Sequence, residues 1–258
     1  MSTVKKGQIA IFMLIGTVLL IGIMFIIHTR DIGKKNASAP KEQSNLISAK
    51  DSAEFFTQSC LNTVLKDALG KLGENGGYIY RKPGLKIQYT QDYIFTFLYI
   101  DRTNFLPGLD SMQSDVEKYI NENMRYCVDD FVDYEKQGWG IEIPQVKSRV
   151  TLAENDVAAS LNFPAKFTRG KASFELENTF AGKTTSLKKI IQQAGNILKD
   201  VEDAQKKIDS GKQPSIPAQS FTRNGLLFLN YQYPDTGRFL WIIKEKEYEF
   251  FFAVNLET

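Results

Sequence analysis

The first constraint on this chain is an uninterrupted apolar run near its start. From Ile9 to Ile27 no residue is charged, and only Gly16, Thr17 and Gly22 break up large apolar side chains. As a helix rising 1.5 Å per residue, the run spans roughly 28 Å, close to the hydrocarbon thickness of a bilayer. A helix apolar on every side at the front of a polar chain is expected to cross a membrane rather than fill a core. The apolar stretch is too long for a cleaved secretory signal, and no small-x-small cleavage site follows Ile27. No other segment is long and apolar enough to span. The expected organisation is a leader and transmembrane helix over 1–31, a flexible tether over 32–45 and an α+β domain over 46–258. A subdivision of that domain is marked near 138–144 by Gly138, Gly140 and Pro144.

The whole chain carries 32 basic and 30 acidic residues. Six basic and two acidic residues fall in the first 46 positions, which leaves 26 basic and 28 acidic for the folded part. A near-neutral domain without a basic block lacks the electrostatic footprint of a nucleic-acid binder. The basic residues of the tether, Lys34, Lys35 and Lys41, are suited to lie against lipid headgroups. They also bear on orientation. Counted alone, Arg30, Lys34, Lys35 and Lys41 outweigh Lys5 and Lys6 and favour a cytoplasmic C-terminal domain.

The cysteines argue the other way. There are two, Cys60 and Cys127, each in a segment with helical periodicity. Cys60 adjoins Leu61 on the stripe Leu61, Val64, Leu65, Ala68, Leu69, Leu72; Cys127 shares the stripe Val116, Ile120, Met124, Val128, Phe131. Helices packed through those stripes at about 8–10 Å could bring the two Cα atoms within the ~7 Å that a disulfide allows. The pair reads as a disulfide in an exported domain and as two buried thiols in a reducing compartment.

Periodicity places helices at about 46–72, 111–134 and 185–208. Strands are expected at 78–80, 86–89, 93–100, 141–143, 146–152, 157–163, 173–180, 226–231, 239–244 and 248–255. The runs 93–100 and 249–254 are apolar on both faces, as central strands are. The third helix repeats Leu187, Ile190, Ala194, Ile197, Val201, Ala204 and Ile208 three and four apart. That is the spacing of a coiled-coil seam, so this helix is the candidate surface for a protein partner or self-association. Ile191 and Leu198 widen the stripe, as packing on the domain's own sheet would. Helices and strands alternate without a βα repeat, which gives an α+β class with a mixed helix and antiparallel-sheet ectodomain.

Catalytic and cofactor signatures are sparse. The single histidine, His28, sits at the end of the apolar run, so no histidine metal cluster or Ser-His-Asp triad can form. Gly182-Lys183-Thr184 has the end of a phosphate-binding loop, but Glu177 stands where that loop requires glycine. Asp129, Asp130, Asp133 and Glu135 cluster at the end of the second helix, where acids oppose the helix dipole. They read first as a solvated face, and second as spare carboxylates for cation binding or hydrolysis. Catalytic, metal and cofactor-binding residues are therefore assigned to none. Asn36-Ala37-Ser38 is the one glycosylation triplet.

Ahead of the apolar run stands Lys5-Lys6-Gly7-Gln8. This resembles the leader of archaeal pilin-like proteins, the class III signal peptides. The resemblance implies cleavage between Gly7 and Gln8, with the apolar helix retained, and places the C-terminal domain outside. The sequence departs from the pilin pattern: Ile9 to Met13 contains no Glu, the residue those subunits use in docking. Further features are Cys60-Leu61 opening a helix that ends Leu72-Gly73 before Gly76-Gly77-Tyr78-Ile79, Cys127 in the second helix, the 157–164 strand and the terminal Phe252-Ala253-Val254 strand. Together they resemble a family of single-span surface proteins of small-genome archaea. That family carries no established activity, so the likeness implies architecture and location, not mechanism. The expectation is a single-pass cell-membrane protein with an extracytoplasmic binding or adhesion module. A pilin-like assembly subunit and a hydrolase of envelope polymers are the alternatives.

Overall fold

Among the described residues helix α1 (Lys41–Glu74) is the longest element, at 34 residues. It begins five positions before the expected Leu46, in keeping with Lys41, Glu42 and Gln43 being good helix formers. Ala53, Thr57, Cys60, Leu61, Val64, Leu65, Ala68, Leu69 and Leu72 form its buried stripe. Its end is a Schellman motif: Gly77 N–H donates to the Leu72 carbonyl at 2.7 Å and Gly76 N–H to that of Gly73 at 3.4 Å. Gly76 supplies the left-handed residue this turn needs, with φ +65°.

The computed structural model describes residues 41–90, 94–213, 220–232 and 237–257. The apolar run 9–27, the Gly7-Gln8 junction, His28, Asn36 and the tether up to Pro40 lie outside the described residues. Among the described residues no helix is long and apolar enough to cross a membrane. Lys50–Thr258 forms one unit, and its class is α+β.

Seven strands make the main sheet: β1 (Ile87–Tyr89), β2 (Ile94–Ile100), β3 (Thr103–Asn104), β10 (Ser220–Arg223), β11 (Leu226–Gln232), β12 (Arg238–Glu245) and β13 (Tyr248–Asn255). Their order is β1-β2-β13-β12-β11-β10, with β3 paired to β2. Among the described strands only the β13–β2 pair is parallel, Ala253 standing opposite Phe97. These two strands are buried on both faces, as their continuous apolar runs require. Trp241, Phe250 and Phe252 fill one face at 0% exposure. Phe95, Phe97, Leu240, Ile242, Phe251 and Ala253 form a second cluster, to which no described helix contributes.

Two three-stranded sheets complete the unit. One is β4 (Gly140–Glu142), β7 (Lys166–Arg169) and β8 (Ala172–Glu175); the other is β5 (Lys147–Leu152), β6 (Asp156–Asn162) and β9 (Thr179–Thr184), in the order β5-β6-β9. Helix α2 (Leu109–Cys127) lies along the free edge of β5. Its Asn121 side chain accepts from Ser148 N–H at 2.7 Å and Glu117 accepts from Val150 N–H at 2.8 Å. At the other edge, Gln58 of α1 donates to the Phe180 carbonyl of β9. Each edge of this sheet is thus met by a helix side chain that takes up backbone groups which would otherwise recruit another strand.

Several expectations need correction. Residues 78–80 form no strand; the Tyr78 hydroxyl instead donates to the Phe105 carbonyl at 2.5 Å. The expected strand 173–180 is two strands, β8 and β9, in different sheets. The expected helix 111–134 stops at Cys127, then passes through Asp129, Asp130 and Phe131 at φ 47°, 45° and 59° before a short α3 (Val132–Lys136). A left-handed backbone costs a residue with a Cβ roughly 1–2 kcal/mol. The turn drives Phe131 to 1% exposure, among Phe56, Tyr134, Phe163 and Phe167 at ring distances of 5.0–6.2 Å. Burying that ring stabilises by about 2–3 kcal/mol and each of the three edge-on contacts adds about 0.5–1.5, which offsets a strain of about 3–6 kcal/mol for three left-handed residues.

Helix α4 (Leu187–Asp209) matches expectation closely. Its seam residues from Leu187 to Ala204, with Ile191 and Leu198, are buried within the unit. A partner of this helix would therefore meet its polar face. Gln205, 2% exposed, holds the chain end as a strand would: it accepts from Glu257 N–H at 2.9 Å and donates to the Glu257 carbonyl at 3.0 Å.

Candidate functional site

Four residues on one face of α1, Asp51, Glu54, Phe55 and Gln58, lie at i, i+3, i+4 and i+7. Opposite them runs the β8–β9 connection, Glu177, Asn178 and Thr179. Between the two is an open groove of about 450 Å³. Gln58 fixes its floor through the Phe180 carbonyl, and Asn178 accepts from the Asn162 side chain at 3.1 Å. Three carboxylates line it, and one ammonium is seated at its rim. Lys50 Nζ stands 3.2 Å from Glu177 and 3.4 Å from Glu54. Hydrogen bonds to Glu177 and then Glu54 raise the Lys50 pKa. Phe55 is 77% exposed and Phe180 63%. Phe55, which lines the polar groove, is the kind of exposed aromatic surface a binding partner covers.

A second polar cluster joins α1, the 78–82 segment and α2. The Tyr80 hydroxyl bonds Glu122, and the Tyr119 hydroxyl bonds Asp67. Each tyrosine carries a lysine over its ring: Lys118 over Tyr80 at 4.0 Å, Lys82 over Tyr78 at 5.6 Å and Lys71 over Tyr119 at 5.8 Å. Burial first, then the carboxylate partner, pushes the Tyr119 phenol up to about 12. Burial is likewise the main cause of the raised pKa of Tyr78, Tyr80 and Tyr248.

This has a consequence for alkaline stability. In the unfolded chain these phenols ionise near the ordinary tyrosine value of about 10. Folded, they hold their protons longer. Their contribution is therefore fully present below about pH 10 and is lost as pH rises through the raised folded values, which for Tyr119 is about 12. Absorbance titration of the 11 tyrosines should show a set that ionises only well above the ordinary tyrosine value, with unfolding. Ionisation of all of them in one step near pH 10 in the folded chain would contradict this.

The other residues singled out by sequence fall as follows. Cys60 and Cys127 are joined, with Cα atoms 5.7 Å apart. Asp130 pairs with Arg125 at 2.9 Å and Asp133 with Lys136 at 2.8 Å, and all four acids of the cluster are exposed, as a solvated face is. Gly182, Lys183 and Thr184 lie in β9, paired with Ala158, Val157 and Asp156, and not at a helix start as a phosphate-binding loop would. Among the described residues no group of three or more His, Cys, Asp or Glu is placed to hold a metal ion. Sequence reasoning missed the α1 groove. The available signal was Phe55, an aromatic lying off the buried stripe on the helix face of Asp51, Glu54 and Gln58; nothing local places Glu177 beside it. Comparison with protein families, with curated proteins and with solved structures finds no match to this chain.

Proposed function

We propose that this chain is a single-pass cell-membrane protein, anchored through residues 9–27, whose Lys50–Thr258 unit is an extracytoplasmic binding module. The observation that carries the reading is the Cys60–Cys127 pair at disulfide distance. Disulfides persist in oxidising compartments and are rare where thiols are kept reduced. The apolar run supplies the anchor, and residues 32–40 lead from it into α1. The groove on α1, with Phe55 exposed at its mouth, supplies a binding surface. The leader resemblance adds export with trimming between Gly7 and Gln8.

Protease added to intact cells tests the location. An epitope appended at Thr258 should be removed while cytoplasmic markers survive. Full protection of the epitope, with digestion only after lysis, would place the unit inside and end this reading.

A further inference from the structure

Resting on the binding-module reading, we propose that the groove between α1 and the β8–β9 connection docks a cationic, extended polypeptide segment, one of whose Lys or Arg side chains takes the place now held by Lys50. The fold already seats an ammonium there: Lys50 Nζ lies between Glu54 and Glu177 at 3.4 and 3.2 Å. Glu177 is 80% exposed at its side chain, and Lys50 33%, so this ion pair is open to exchange with a ligand in solution. Three carboxylates, Asp51, Glu54 and Glu177, line the groove and one ammonium pairs with two of them, which leaves net negative charge for a further cation. The Phe55 ring, 77% exposed, is a separate feature pointing to the same ligand. An aromatic face beside carboxylates receives the aliphatic stem and the charge of Lys or Arg together. Asn178 adds a polar side chain along the same wall for a peptide backbone. A bare divalent cation fits poorly, because these carboxylates do not converge as a ligand group among the described residues. A neutral glycan would use Phe55 and gain nothing from the acids.

The test uses the full chain in detergent micelles and a fluorescein-labelled peptide of alternating lysine and glycine. Anisotropy should report binding that weakens several-fold between about 20 and 200 mM salt. The double variant Glu54→Gln with Glu177→Gln should bind about tenfold more weakly, and Phe55→Ala a few-fold more weakly. Lys50→Gln, which removes the internal competitor, should bind the peptide more tightly. All are surface changes, and an unchanged denaturant midpoint followed by the fluorescence of the buried Trp139 and Trp241 reports that each variant is folded. No binding by the parent chain, or equal binding by the double variant, overturns the inference. So does a glutamate-glycine peptide that binds as well. Each of those results leaves the protease test of location standing, so the two readings fail separately.

Discussion

Replacing Cys60 by serine lowers the stability of the folded unit by about 2–5 kcal/mol. The bond closes a loop between positions 67 apart. In the chain-entropy model, a loop of that length removes about 4 kcal/mol of disorder from the unfolded state. Its place in the fold adds to the effect. The bond ties α1, whose Gln58 covers the β9 edge, to the end of α2, whose Glu117 and Asn121 cover the β5 edge. The two helices flanking one small sheet are thereby held together just before the left-handed turn at Asp129. Cys60 is 4% exposed, so serine also leaves a buried hydroxyl. Cys127→Ser should cost a similar amount, and the double variant little more than either alone, because all three lose the same bond. Denaturant unfolding followed by the fluorescence of Trp139 and Trp241 measures this. Additive losses, or a parent chain unaffected by reductant, would mean the bond contributes little.

Substituting Gly73 by alanine is the second large effect, and Gly70 by alanine is its matched control. Both glycines lie in α1, three positions apart. A Cβ at Gly73 would sit 2.2 Å from the Glu249 backbone carbonyl and 3.2 Å from the Tyr248 ring. Backbone of a paired strand cannot swing away as a side-chain end can, so β13 or the helix end must shift. Overpacking of this kind costs about 1–3 kcal/mol, and more where backbone is the obstacle. At Gly70 a Cβ meets nothing within 4 Å. Alanine there should stabilise by about 0.5–1 kcal/mol, since glycine in a helix interior loses more freedom on folding. Opposite signs for the two variants are expected in the same unfolding assay. A neutral Gly73→Ala would show that α1 does not press against β13 at this point.

The parts of this fold legible in sequence are those fixed by local pattern. β2 and β13 carry continuous apolar runs because both their faces are covered. The α4 stripe repeats at helical spacing because one side packs inward, and its breadth through Ile191 and Leu198 marks it as core. The cysteine pairing was legible because only two cysteines exist and both lie on or beside apolar stripes. The break after Cys127 was not legible, since Val128 and Phe131 continue the helical spacing; only the tertiary demand for Phe131 among Phe163 and Phe167 bends the chain there. The short strands β3, β7 and β10 carry too few apolar residues to announce themselves. The groove was hidden for another reason: Lys50 and Glu177 meet across 127 positions, and no local pattern records such a meeting.

The most direct test of the account is the state of the two thiols in the full chain, recovered from its native membrane with free thiols blocked before lysis. Peptide mapping without reductant should yield Cys60 linked to Cys127 and no blocked cysteine. Both cysteines carrying the blocking group would contradict the disulfide and, with it, the extracytoplasmic placement of the Lys50–Thr258 unit.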